Sequence, residues 1–199
     1  MIEHVVAPRE QSRGNDSKES VDWQVIAACQ LGDRDALRTL FEIYKDRVYS
    51  IAMYSLGGTE TMAADVTQQV FVKLMTRINQ FRGQSEFTTW LYRLVVNTCR
   101  DEQRKTRRFV PLADVSIPAI SSQSPRAEYT RKELSMRVQA AVSQLKPKLR
   151  WPILLRYVED LSYEEIASVL GCSKGTVASR LNRGHKALAR RLHHLRDHV

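Results

Sequence analysis

Leu161-Ser-Tyr-Glu-Glu-Ile-Ala-Ser-Val-Leu-Gly-Cys-Ser-Lys-Gly-Thr-Val-Ala-Ser-Arg-Leu181 reads as two short helices around a tight turn. Ser162, with Glu165 three positions later, makes a capping box that starts the first helix. Ile166, Ala167, Val169 and Leu170 supply its apolar side. Gly171 suits the left-handed position that ends a helix, and Ser173 can cap the next one. In the second helix Val177, Leu181 and Leu188 fall on one face. Thr176, Ser179, Arg180 and Arg183 fall on another, at i, i+3, i+4 and i+7. One face can pack while the other offers hydroxyl and guanidinium groups to a DNA major groove. A helix pair with a glycine turn can also be plain helical core. Cap, turn glycine, buried stripe and basic stripe agree here, and together they favour DNA recognition.

The charge distribution points the same way. The 199-residue chain carries a net charge of +9. Residues 126–199 hold 15 basic and 7 acidic side chains, so they account for +8 of it. Residues 173–199 hold seven Lys or Arg against the single Asp197. A basic end of this kind suits a polyanion. Cys29, Cys99 and Cys172 are widely spaced and form no Cys-x-x-Cys pair. That argues against a disulfide framework and a zinc site and suits a reducing cytoplasm. Cys172, in the turn, reads as a small filler. His185, His193, His194 and His198 lack a Cys or carboxylate at metal-ligand spacing and read as part of a solvated basic tail. No signal peptide and no membrane-spanning stretch is expected, so the expected location is cytoplasmic.

Apolar periodicity lays out the rest of the chain as helices. Residues 1–21 are polar and are expected to be a flexible N-terminal extension. A first helix is expected from about Asp22 to Leu31. Asp33 caps a longer one with the stripe Leu37, Leu40, Phe41, Tyr44, Val48, Ile51 and Ala52. Gly57-Gly58 ends it, and Thr59 can cap a third helix bearing Met62, Val66, Val70, Leu74 and Ile78. A fourth opens near Ser85 or Glu86 and runs to about Arg107. Residues 109–126, with Pro111, Pro118, Pro125 and several serines, read as a linker. A further helix begins near Ala127 and is stopped by Pro147. Another, from about Leu149 to Glu159, accepts Pro152 near its start. The expected fold is all-α: two small helical domains, 22–108 and 127–199, joined by an extended linker, the second with a helix-turn-helix.

The fourth helix has a second face. Arg93, Asn97, Arg100 and Arg104 form one stripe on it, which can hold phosphates and a base edge. Upstream lies Phe81-Arg-Gly-Gln-Ser-Glu-Phe-Thr-Thr-Trp-Leu91, a loop with aromatic residues near polar ones. Trp90 and Phe87 at helical spacing read as core. Gln84, Ser85 and Thr88 are the better candidates for touching DNA.

Asp65-Val-Thr-Gln-Gln-Val-Phe71, Phe81-Arg-Gly83 and Thr89-Trp-Leu-Tyr-Arg93, with Asn97, resemble the second conserved region of bacterial sigma factors. Leu161-Ser-Tyr-Glu-Glu-Ile-Ala167 and Gly175-Thr-Val-Ala-Ser-Arg-Leu181 resemble the fourth. Having these two regions alone, over about residues 22–108 and 127–195, is similar to the extracytoplasmic-function (ECF) group. The resemblance implies a dissociable subunit of RNA polymerase. Its second region would dock on the clamp of the largest subunit and open the −10 promoter element. Its fourth would sit near the β-subunit flap and read the −35 element. Asp65, Gln68 and Gln69 would then bind polymerase. Arg93, Asn97 and Arg100, with Gln84, Ser85 and Thr88, would face −10 DNA. Ser173, Lys174, Thr176, Ser179, Arg180 and Arg183 would face −35 DNA. An anti-sigma protein is an implied partner.

The chain departs from the family pattern in places. Gln69 and Ala64 stand where acidic residues are common, and Asn182, Gly184 and His185 interrupt a usually basic, alanine-rich helix. Gly184 is expected to weaken that helix by about 1 kcal/mol relative to alanine. The main alternative is a stand-alone helix-turn-helix regulator whose first domain senses a signal or dimerises. An enzyme is disfavoured: Glu164 and Glu165 are explained by the capping box, and no nucleophile motif or phosphate loop appears. No catalytic residue, cofactor, metal or small-molecule substrate is expected.

Overall fold

The computed structural model describes residues 21–57, 59–109 and 131–193. All but the last residue of the expected extension 1–21, almost all of the expected linker, residues 127–130 at the start of the expected second domain, and the tail histidines His194 and His198 lie outside these residues. Among the described residues there are eight α-helices and no strand: α1 (Trp23–Gln30), α2 (Arg34–Ser55), α3 (Glu60–Arg77), α4 (Phe87–Phe109), α5 (Arg131–Ser143), α6 (Pro147–Tyr157), α7 (Tyr163–Leu170) and α8 (Lys174–Arg191). A single 3-10 turn, Ile78–Gln80, follows α3.

The starts follow local chemistry. The Asp22 carboxylate accepts from the Gln24 amide at 3.0 Å, and that of Asp33 accepts from Asp35 and Ala36 at 2.8 and 3.1 Å. Each satisfies amides that the first turn leaves without a helical partner. Thr59 occupies the cap position of α3 without a side-chain hydrogen bond. The Ser162–Glu165 box is complete, at 3.2 and 2.7 Å, and Gly171 takes the left-handed conformation at φ 63°.

α2, α3 and α4 pack on Leu40, Tyr44, Val48, Ile51, Val66, Val70, Leu74, Leu91, Val95 and Cys99, all buried. α5 to α8 pack on Val138, Val142, Ile153, Leu154, Ile166, Val177, Leu181 and Leu188. Both expected helical groups are therefore present. Their interiors abut and form one continuous apolar cluster, with α4 against α7 and α2 against α5 and α6.

Three expectations need correction. Pro147 does not merely stop a helix: α5 ends at Ser143, and Pro147 is the first residue of α6. A proline there loses no helical hydrogen bond, because that amide would have none. Pro152 consequently sits inside α6 and not near its start. His185 is not part of a solvated tail: it is half-buried, its Nε2 2.8 Å from the Tyr157 hydroxyl, and burial lowers its pKa.

Gly184 lies within α8, which runs unbroken to Arg191. It is buried, and a Cβ there would lie 3.0 Å from Ile153 Cγ1 and 3.2 Å from Cδ1. The glycine lets α6 and α8 approach. Gly184→Val should therefore destabilise by about 1–3 kcal/mol through overpacking. Gly175→Ala, at a position with nothing within 4 Å, should leave stability unchanged or slightly raised. Chemical denaturation of the two variants checks the contrast.

Candidate nucleic-acid interface

Three surfaces carry the residues singled out by sequence. The first is on α3. Asp65, Gln68 and Gln69, with Val72 and Lys73, ring one shallow hollow of about 380 Å³. Spacings of three, four and seven residues place them on one helix face. Lys73 is drawn toward α4: its ammonium donates to Thr98 Oγ1 at 3.1 Å and lies 3.9 Å from Asp101. Val72 and Met75 remain 59% and 55% exposed on α3. Apolar side chains left in water beside amides and a carboxylate suit a protein partner.

The second surface is the loop before α4. Gln30 of α1 donates its side-chain amide to the carbonyls of Ile78 and Phe81, at 3.0 and 2.8 Å, and ties down the loop base. Beneath it Phe81, Phe87 and Trp90 pack with ring centroids 5.4–5.8 Å apart. Phe87 is buried core, as expected, whereas Trp90 is half-buried and packs against that core. Gly83 turns the chain at φ 68°. Gln84 is exposed, while Ser85 and Thr88 are half-buried at the loop edge.

Sequence reasoning missed Trp23. Its indole is 54% exposed, 6.0 Å from the Phe81 ring, and 3.5 Å from where a Cβ on Gly83 would stand. It sets an open aromatic face beside the polar loop, of the kind on which unpaired bases stack. The available signal was a tryptophan directly after a helix cap.

α4 continues this surface. Asn97 is exposed. Arg93 donates to Ser168 of α7, from Nε to the carbonyl and from Nη2 to the hydroxyl, both at 3.0 Å. Arg100 is half-buried, its guanidinium 5.9 Å from the Trp151 ring centre. Burial, then Arg104 and Arg180, lowers its pKa. The stripe is on one helix face as expected, but two of its three candidates touch the second helical group.

The third surface is the helix-turn-helix. The Ser173 hydroxyl accepts from the Thr176 amide at 3.2 Å, so it caps α8. Lys174 pairs with Glu164, whose carboxyl its hydrogen bond holds below the usual range. Ser179 and Arg183 donate to carbonyls one turn back, at 3.0 and 3.2 Å. Arg180 Nη1 lies 3.6 Å from Cys172 Sγ.

Thr176, Arg180 and Arg183 share an open cleft of about 670 Å³ with Lys146, Lys148, Lys186, Arg190 and Arg191. Seven Lys or Arg and no carboxylate line it. Lys146 and Lys148 come from the α5–α6 corner and were not singled out by sequence, although they flank the helix-starting Pro147. Among the described residues no group of three or more His, Cys, Asp or Glu could hold a metal. None of the helices described is long and apolar enough to cross a membrane.

Comparison with known proteins fits this layout. Residues 40–109 match the family model described as Sigma-70 region 2, and residues 135–188 match Sigma-70, region 4. The chain is 34% identical over 183 residues to the ECF RNA polymerase sigma-E factor of Escherichia coli strain K12, covering 86% of this chain and 94% of that one. The chain belongs to the ECF sigma factors. It is also 31% identical over 180 residues to the ECF RNA polymerase sigma factor SigW of Bacillus subtilis strain 168, covering 85% and 96% of the two chains.

Among solved structures, that of CnrH in complex with the cytosolic domain of CnrY is 27% identical and superposes with a TM-score of 0.66. It covers 86% of this chain and 97% of that one. The Bartonella quintana sigma factor RpoE, solved with the anti-sigma factor NepR, shares the fold, with a TM-score of 0.63 at 24% identity and coverages of 78% and 96%. The region 2 match ends where α4 ends, and the region 4 match falls within α5–α8.

The Gln30 bonds predict how the loop is held. Gln30→Leu leaves two carbonyls without that donor and should cost about 1–2 kcal/mol. Amide hydrogen exchange at residues 81–86 should accelerate, while exchange in α8 should not.

Proposed function

We propose that this sigma factor directs core RNA polymerase to its promoters through the three surfaces described. The α3 hollow around Asp65, Gln68 and Gln69 docks on the clamp of the largest polymerase subunit. The loop at Gln84, Ser85 and Thr88, with Trp23 beside it and Arg93, Asn97 and Arg100 on α4, engages the −10 element and holds unpaired bases. Stacking and capture of such bases offset part of the cost of opening the duplex. The α8 face of Ser173, Lys174, Thr176, Ser179, Arg180 and Arg183 reads the −35 element near the β flap.

The observation that carries this is the cleft lined by seven cations and no carboxylate at the recognition helix. A surface of that composition suits the phosphate backbone. We assign residues 22–108 and 127–199 as the promoter-binding domains, 109–126 as their tether and 1–21 as an extension. The protein acts in the cytoplasm, without catalysis of its own. An anti-sigma protein is the further partner that family membership implies.

Two experiments test this reading. The purified chain should co-elute with bacterial core RNA polymerase on gel filtration, and Asp65→Ala/Gln68→Ala should weaken co-elution. Absence of co-elution, with DNA binding retained, would favour the stand-alone regulator. Arg180→Ala/Arg183→Ala should weaken duplex binding and lower the slope of log affinity against log salt by about 2, or about 1 per lost phosphate contact.

A further inference from the structure

Two lysines of the cationic cleft lie outside the helix-turn-helix. Lys146 holds the cap position of α6 and Lys148 lies in its first turn, and both are exposed. Local chemistry favours the opposite choice at both places. A cap side chain accepts from a first-turn amide, and a lysine ammonium cannot. The first turn of a helix carries partial positive charge, so carboxylates are stabilising there and cations are not. α6 has no side-chain cap bond and no acidic residue in its first turn. Departures of this kind from local preference concentrate at functional sites.

The corner that carries these lysines is held rigidly. Leu145 donates its amide to the Val142 carbonyl at 3.0 Å, and the buried Arg150 guanidinium donates to the Ser143 and Leu145 carbonyls. Gly184 lets α8 come up against Ile153 and Leu149 of α6, which sets the two walls of the cleft facing each other. Among the described residues, none of the cleft's cations pairs with a carboxylate, whereas Lys45, Lys105, Arg156 and Lys174 elsewhere on the surface each do. Repulsion between like charges on facing walls is relieved by an anion between them.

The length of α8 says which anion fits. From Thr176 to Arg191 it spans about 22 Å at 1.5 Å per residue. The major groove is about 12 Å wide. A helix whose first turns lie in that groove therefore carries Lys186, Arg190 and Arg191 out over the strand at the groove's edge. That strand falls in the cleft, with α8 on one side and Lys146 and Lys148 on the other.

We propose that Lys146 and Lys148 are phosphate-binding residues: the α5–α6 corner grips, from outside the helix-turn-helix, the DNA strand that borders the groove entered by α8. The inference rests on the assignment of α8 to duplex DNA. The corner lysines touch no base, so they add affinity and fix the seating of the duplex without choosing its sequence.

The test uses the full chain, a fluorescein-labelled 25-base-pair duplex of random sequence, and anisotropy titrations at several salt concentrations. Lys146→Gln/Lys148→Gln is expected to bind about tenfold more weakly at 50 mM salt, with the slope of log affinity against log salt shallower by about 2. Combined with Arg180→Ala/Arg183→Ala, it should make the slope shallower by about 4. Lys148→Glu separates binding from folding. Its melting temperature should rise by about 1–4 °C, because a carboxylate suits the first turn, while its duplex affinity falls.

A loss of affinity with an unchanged salt slope overturns the proposal, and so does a more stable Lys148→Glu that binds as well as the parent. If Arg180→Ala/Arg183→Ala weakens binding and the corner variant does not, the α8 assignment stands and the corner assignment falls. No binding by the parent at 50 mM salt, or equal binding by all variants, overturns the proposal through its premise, because α8 is then not a duplex-binding helix. Circular dichroism checks that each variant keeps its helices. Should the double variant lose helix, Lys148→Gln alone carries the same comparison, with a slope change of about 1.

Discussion

The structure turns on one buried guanidinium. Arg150, 8% exposed, donates to the carbonyl of Ser55, the last residue of α2. It also donates to the carbonyls of Ser143, the last residue of α5, and of Leu145, the latter at 2.9 Å. Helix ends leave carbonyls without helical partners and carry partial negative charge, so a cation placed between two of them is favourable. Gln103 of α4 adds a second donor to Ser55 at 2.7 Å. α2, α4, α5 and α6 thus meet at one polar knot inside an apolar cluster. Arg93–Ser168 and Tyr92–Glu159 are further polar ties between the two helical groups.

From that knot, α4 connects two roles. Its buried face, with Leu91, Val95 and Cys99, closes the first helical group, and burial pushes the Cys99 thiol up to about 11. A thiol held protonated in this way is packing material and not a nucleophile. The face bearing Arg93, Asn97 and Arg100 is the one proposed to meet the −10 element. The proposed −35 face is built differently. Its cations extend from α8 to the α5–α6 corner, and Gly184 lets α8 approach α6 closely enough to bring them into one cleft.

Much of this was legible in the sequence because its causes are local. Asp22, Asp33, Ser162 and Ser173 satisfy amides two or three residues away, so their caps can be read from spacing. Gly171 ends α7 because its own backbone permits the left-handed turn. The α3 hollow and the α8 stripe follow from helical period. What escaped depends on partners far along the chain. Gly184 looks like a weak point until Ile153 stands beside it. His185 looks solvated until Tyr157 meets it. Lys146 and Lys148 look like ordinary surface charge until α8 brings its own cations alongside them.

By itself, the sequence determined the helices, their faces and the family, since periodicity and caps act within a few residues and the motifs keep their order and spacing. Tertiary structure alone decided which face meets which. Arg93 and Ser168 are 75 positions apart, and Tyr92 and Glu159 are 67 apart. No periodicity links residues so distant. Their pairing follows from how the apolar sides of α2, α4, α6 and α7 fit around Arg150, and that fit is a property of the packed shape.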